Sequence, residues 1–186
     1  MSPFKIAFIG SHGVGKTTIC YGLAARLKAR DTSLDVVREV ARRCPLAINE
    51  ETGLAAQSWI LHTQIAEETI AEHRYDVVIC DRSVLDNYVY LLLAAGSQPG
   101  LEPLIEQWME TYSLLAYMPI CESPSNDGIR SANPAFQRAV DERLNEELEK
   151  RGLDCIRLDP EARHRWLGEI EQLVVDRLAP PQMELL

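Results

Sequence analysis

The chain has 186 residues, long enough to bury a continuous core without disulfides or structural metals, and its length points to one domain rather than two. A formal net charge of −9 opposes binding to nucleic acid polymers and anionic membranes, although a local cationic cleft can still attract a small anion. The cysteines, Cys20, Cys44, Cys80, Cys121 and Cys155, are odd in number, form no C-x-x-C pair and read as buried thiols of a reducing compartment.

Residues 4–9 read as a buried strand, and the apolar spacing of Ile19, Leu23, Ala24 and Leu27 predicts a helix over 16–30. Leu34–Val37 is a second strand that ends at Arg38-Glu39. From about 50 to 73, Trp59, Ile60, Ile65, Ala66 and Ile70 recur at helical spacing with Glu and Gln on the other faces, the pattern of a long amphipathic helix. Tyr75–Cys80 is an uninterrupted β-branched run closing in Asp81-Arg82, which fits an inner strand covered on both faces. Helices are predicted at 84–95 and 101–112, a fourth strand at 114–118, and a polar loop at 122–133. Asn133-Pro134 supplies a cap and a first-turn proline for a helix carrying Phe136, Val140, Leu144 and Leu148, which Gly152 ends. Cys155–Leu158 is a short fifth strand, Asp159-Pro160 a turn, and 162–178 a last helix packed through Trp166, Ile170, Leu173 and Val174. Strands alternating with helices, without a hairpin signal, give an α/β fold with a parallel sheet between two helical layers. One domain over 1–179 with a loose tail at 180–186 is expected. No segment reaches membrane-spanning length and the N-terminal apolar run is too short for a secretory leader, so the expected location is the cytoplasm.

The chemistry is concentrated at the strand ends. Gly10-Ser11-His12-Gly13-Val14-Gly15-Lys16-Thr17-Thr18 follows the first strand and opens the first helix, and G-x-x-x-x-G-K-T in that context is a phosphate-binding loop. Its glycines permit the turns that aim successive amides at a polyphosphate, with the helix dipole adding to their field. Lys16 would reach the β- and γ-phosphates, and the Thr17 hydroxyl would hold a magnesium ion. Asp81, closing an apolar strand, is the candidate second magnesium ligand; the alternative is an aspartate capping a turn. Arg82 either pairs with phosphate or bridges to an acid at the surface. Glu39 is either the base for an acceptor hydroxyl or an ordinary first-turn glutamate. Ser83-x-x-Asp86 fits a capping box in its Asp form, with Asp86 also a possible acceptor contact. Arg130, in the polar loop, and Arg138 behind it would close over the transferring group; the alternative is a solvated loop with scattered arginines. His12, His62, His73 and His164 show no metal-ligand spacing. Trp59, His62 and Gln64 either face an aromatic acceptor or belong to the core.

The segments GSHGVGKTT, VREVARR, AAQSWILHTQIAEE, VVICDRSVLDNYVY and DGIRSANPAFQRAVDERL resemble the P-loop kinase group of AAA-type ATPase domains, over about Phe4 to Leu158. That group includes the nicotinamide-riboside-kinase-like domain of a bacterial NAD-biosynthesis regulator, and the chain is more distantly similar to thymidylate and deoxynucleoside kinases. The resemblance implies a P-loop NTPase fold with a five-stranded sheet in the order 2-3-1-4-5, an acceptor site roofed by the second and third helical regions, and a short lid whose arginines match Arg130 and Arg138. Glu39 lacks the proline-glycine continuation of thymidylate kinases, no N-K-x-D guanine-reading motif is present, and the short lid lacks a second cationic pocket for a phosphorylated acceptor. These departures favour ATP with Mg2+ and an uncharged or singly charged hydroxyl compound, such as a nucleoside or riboside. The expected function is therefore a small-molecule kinase, and the rival is a regulatory or partner-binding ATPase without such an acceptor; the oligomeric state is left open.

Overall fold

The computed structural model describes residues 3–48, 52–121 and 133–178. Five parallel strands, β1 (Phe4–Ile9), β2 (Leu34–Val37), β3 (Val77–Asp81), β4 (Leu114–Tyr117) and β5 (Ile156–Arg157), lie in the order β2-β3-β1-β4-β5. Phe4 is opposite Val77 and Phe8 opposite Asp81, so β1 and β3 finish level and their carboxyl ends open onto one crevice. The tandem β-branched residues of β3 are buried on both faces, as an inner parallel strand requires.

Alternation along β1 sends Ala7 and Ile9 to one face and Ile6 and Phe8 to the other. The first face is covered by α2 (Leu54–Arg74), α3 (Val84–Ala95), α4 (Glu102–Met109) and α5 (Pro134–Lys150), the second by α1 (Lys16–Lys28) and α6 (Trp166–Leu178). The family-implied strand order and the two helical layers are both present. No helix among the described residues is long and apolar enough to cross a membrane.

Several boundaries differ from the sequence reading. The first helix stops at Lys28, where the amides of Arg30 and Thr32 turn back onto Leu27 O and Asp31 takes φ +57°. The fourth ends at Met109, and the last begins at Trp166 after a 3₁₀ segment, Pro160–Arg165, with Ala162 off helical geometry. The loop at 122–133 and the tail lie outside the described residues, apart from Asn133, whose side chain caps α5 by accepting from the amides of Ala135 and Phe136.

The largest correction concerns α2. Its inner face carries Gln57, Gln64 and Glu68, whereas Ile70 is 51% exposed. The cause lies across the layer, because Lys5 of β1 is itself fully buried and takes Glu68 as its counter-ion at 3.0 Å. Of the cysteines, all free, only Cys20 and Cys80 are buried; Cys44 and Cys155 are half-buried and Cys121 is exposed, so the uniform expectation of buried thiols does not hold.

Candidate functional site

The loop after β1 has the backbone its glycines predict. Gly10 takes φ +137°, Gly13 +81° and Gly15 +99°, and Gly15 caps α1 without any side-chain acceptor. The first amides of α1 therefore point outward around the loop with the positive end of the helix dipole behind them. A Cβ at Gly10 would lie 2.5 Å from Met118 O, so only glycine lets β1 leave the sheet here.

The loop is fastened from both sides. Asp86 Oδ1 accepts from Gly10 N at 3.0 Å, while Oδ2 accepts from Ser83 N and Ser83 Oγ at 2.9 and 2.7 Å. Ser83 Oγ in turn accepts from Asp86 N, completing the capping box that opens α3. From the other side, Ser11 Oγ donates to Gln137 O at 2.7 Å and Gln137 Nε2 donates to His12 O at 2.8 Å. Val14 is buried, Gly13 and Gly15 half-buried, and Thr18 exposed.

Lys16, Thr17, Asp81, Arg82 and Glu39 converge beside this loop. Lys16 Nζ donates to Gly10 O and Ser11 O at 2.7 and 2.6 Å. Burial, helped by the Arg82 guanidinium and opposed by Asp86, Asp81 and Glu39, brings the Lys16 ammonium down to about 8. Thr17 Oγ1 donates to Asp81 Oδ2 at 2.5 Å, and Asp81 Oδ1 is buried with no hydrogen-bond partner among the described residues. One hydroxyl and one carboxylate with an unused oxygen form a hard-oxygen pair of the kind magnesium uses when phosphates and water complete its shell. Thr17 and Asp81 therefore fit that ion, while no cluster of three or more His, Cys, Asp or Glu able to cage a metal exists among the described residues.

Arg82 is buried and takes φ +91°, an unusual backbone for a residue with a long side chain. Its Nε and Nη2 donate to Glu39 Oε1 at 2.9 and 2.8 Å, and Arg42 Nε donates to Glu39 Oε2 at 2.8 Å. Burial works against the charge on Arg82, but Tyr90, Glu39, Asp86 and Asp81 together outweigh it and hold its pKa well above the ordinary value. The guanidinium lies 5.0 Å over the Tyr90 ring, whose hydroxyl meets His12 Nδ1 at 3.0 Å, and Phe136 packs edge-on to Tyr90.

Two clefts flank the loop. One is lined by His12, Glu39, Ala41, Arg42, Ile48, Gln57, Ile60, Arg82, Asn87, Tyr90 and Phe136. The other lies against Val14, Gly15, Thr18, Ile19, Met118, Arg163 and Trp166. In the first cleft Arg82 Nη1 and Asn87 Nδ2 are buried donors with no partner among the described residues. Buried polar atoms without partners are uncommon in folded proteins, and these two donors on one cleft wall are available to the acceptors of a ligand.

Arg138 is exposed on α5 and lines neither cleft, and Arg130 lies outside the described residues. Trp59 is half-buried, His62 is exposed with its ring on Ser58 O, and Gln64 is buried; none of the three lines the first cleft. Sequence reasoning passed over His12, Asn87, Tyr90 and Phe136. His12 and Asn87 stand inside quoted motifs, but nothing in their spacing shows which way they face; for Tyr90 the signal was the helical step of three from Asn87.

A family model described as an AAA domain matches residues 5–165. No curated protein matches the chain. Among solved structures, the NadR protein in complex with NAD and AMP-PNP superposes with a TM-score of 0.70 at 18% identity, over 98% of this chain and 52% of that one. This chain thus spans about half the length of that protein. Deoxyadenosine kinase from M. mycoides, with dCMP and a flexible dCDP bound as products, superposes with a TM-score of 0.60 at 16% identity, covering 94% of this chain and 98% of that one. With strand order, phosphate loop and family match in agreement over most of its length, the chain belongs to the AAA domain family and has the P-loop kinase-like fold.

Proposed function

We propose that the protein binds Mg-ATP on residues 10–18 and transfers the γ-phosphoryl group to a hydroxyl of a small metabolite of nucleoside or riboside type. The observation that carries this reading is that two separate clefts border one phosphate loop, one at His12 and the other at Val14, Gly15 and Thr18, while Lys16, Thr17 and Asp81 meet beside the same loop. A phosphoryl donor and acceptor must approach one phosphorus atom from opposite sides, and this arrangement provides for both. The cleft beside Gly15 and Trp166 suits the nucleotide base, and the cleft walled by Glu39, Arg82 and Asn87 suits the acceptor.

In this mechanism the loop amides and Lys16 hold the triphosphate tail. Thr17 and Asp81 would hold a magnesium ion, which would supply charge neutralisation at the phosphate oxygens. Glu39, its carboxylate forked between Arg82 and Arg42, accepts the hydrogen bond of the acceptor hydroxyl, orients it and takes its proton as the new O–P bond forms and the bond from the γ-phosphorus to the ADP leaving group breaks. Arg82 lends its remaining N–H to the developing charge. Arg138, exposed at the start of α5, and Arg130, outside the described residues, are assigned to closure over the nucleotide on the family resemblance alone. The apolar walls, Ile48, Ile60, Tyr90 and Phe136, accommodate a ring and keep water out. NadR and deoxyadenosine kinase, whose structures hold nucleotides, lend support by analogy of fold.

The test is a panel of nucleosides, ribosides and other alcohols offered with Mg-ATP, scored by mass spectrometry for the gain of one phosphate. At least one panel member is expected to gain it in a Lys16-dependent manner. ATP turnover with no phosphorylated product across the panel would instead identify a regulatory ATPase.

A further inference from the structure

A second buried polar centre lies under α2, away from the clefts. Glu68 is fully buried and accepts four hydrogen bonds: Oε1 from Gln64 Nε2 at 2.8 Å and Tyr112 OH at 2.7 Å, Oε2 from Lys5 Nζ at 3.0 Å and Trp108 Nε1 at 2.7 Å. Lys5 also pairs with Glu72 at 2.5 Å and lies 4.7 and 4.4 Å from the ring centres of Trp108 and Tyr112. Burial, with the Glu68 charge adding to it, holds the Tyr112 phenol well above its ordinary value, so the hydroxyl stays protonated as a donor to Glu68.

Such a centre is a poor way to gain stability. Desolvating a lysine and a carboxylate costs about what their attraction returns, and apolar side chains of equal volume commonly hold a core as well or better. Its outward connections are what distinguish it. Gln64 Nε2 also donates to Arg82 O at 3.3 Å, and Tyr112 OH accepts from Val84 N at 3.0 Å. Between these two, Ser83 N is held by Asp86, and Arg82 N donates to Phe8 O at 3.2 Å. Three consecutive residues at the end of β3 thus have their backbone held in place by side chains, and the first of them is the left-handed Arg82.

The Gln64 amide shows which constraint governs. Its nitrogen faces a carboxylate and a carbonyl, both acceptors, which fixes the amide orientation. Its own oxygen is left buried with no partner among the described residues. An apolar residue would avoid that loss, and only the two donated bonds account for an amide here.

We propose that Gln64 and Tyr112, organised by the buried Lys5–Glu68 pair, are positioning residues for Arg82. They hold the left-handed turn that aims the guanidinium at Glu39, and neither touches a ligand itself. The functional meaning rests on Arg82 forming part of the acceptor wall, but the test does not, because it is made on the protein without ligands.

The Arg82 Nε–H proton, donated to Glu39, is observed by 15N-correlated NMR and assigned by its disappearance in Arg82→Lys. Gln64→Met and Tyr112→Phe are each expected to speed its exchange with water at least tenfold and to shift its resonance. Ile170→Val, in α6 on the opposite face of the sheet, is the control for a general loss of stability and leaves the exchange within twofold. The proposal is overturned if both cluster variants retain wild-type exchange, or if the control speeds exchange as much as they do. Should the substrate panel give no product, the exchange result still decides the positioning role.

Discussion

Lys16 illustrates how much of the site is decided by one side chain's surroundings. In the folded protein burial holds its ammonium down at about 8, well below the ordinary value of 10.5, while a bound triphosphate favours the charged form and raises it. Above pH 8, therefore, ATP binding draws a proton onto the protein, and affinity falls as pH rises further. Calorimetry at pH 9 in buffers of different ionisation enthalpy is expected to show uptake of a substantial fraction of one proton, which Lys16→Ala abolishes. The same shift acts on stability with a defined sign. Between pH 8 and 10.5 the unfolded chain binds a proton that the folded chain does not, so this residue's contribution makes folding more favourable as pH rises through that window. Asn87 gives the complementary prediction on the acceptor side. Its amide nitrogen is buried without a partner among the described residues, so Asn87→Leu leaves Mg-ATP affinity unchanged and raises the acceptor KM about tenfold, the loss of one hydrogen bond worth ~1.4 kcal/mol. Steady-state kinetics on a substrate from the panel reads both values.

Between elements, the decisive joints are those where one side chain serves two parts of the chain. Asp86, the third residue of α3, closes the capping box with one carboxylate oxygen, and with the other holds Gly10, which lies 76 positions away. Asp86→Asn keeps the shape but gives up part of the acceptor capacity on which Gly10 N, Ser83 N and Ser83 Oγ rely. A cost of about 2–3 kcal/mol follows, read as a melting temperature about 5–10 °C lower, with phosphate-loop function falling further than the stability loss explains. The capping box itself was legible in sequence because it is local. The link to Gly10 was not, since nothing in the spacing of Ser83 and Asp86 says that the second carboxylate oxygen reaches the phosphate loop at the end of β1. The inner face of α2 failed for a similar reason. Helical periodicity assigns Gln and Glu to water by default, and that default reverses where a strand presents a buried lysine.

For the molecule as a whole, β1, β3 and the phosphate loop were legible because each is a local pattern with a firm physical cause: β-branched runs for buried strands, and glycine where the backbone must turn left-handed. The 2-3-1-4-5 order came from the family likeness, since alternation of strands and helices gives a parallel sheet but not the sequence of its neighbours. The acceptor cleft was only half legible. Glu39 and Arg82 announce themselves at strand ends, but Gln57, Ile60 and Phe136 reach the same space from α2 and α5 and become neighbours only through packing. In a molecule with a net charge of −9, Lys16, Arg42 and Arg82 stand against Glu39, Asp81 and Asp86 beside the phosphate loop, so the pull on a small polyphosphate comes from the loop amides, the helix dipole and Lys16 rather than from an excess of cationic side chains, while the surrounding field repels longer polyanions.

Because Asp86 and Gln137 both hold the turn between β1 and α1, the nine residues that name this motif do not by themselves possess its anion affinity. Grafted onto another strand and helix, the same letters would lack the two distant anchors, and the amides would fan out into water instead of sharing one focus. Recognition of phosphate here is a tertiary property, acquired only once the chain has closed over more than 120 positions to bring α5 home.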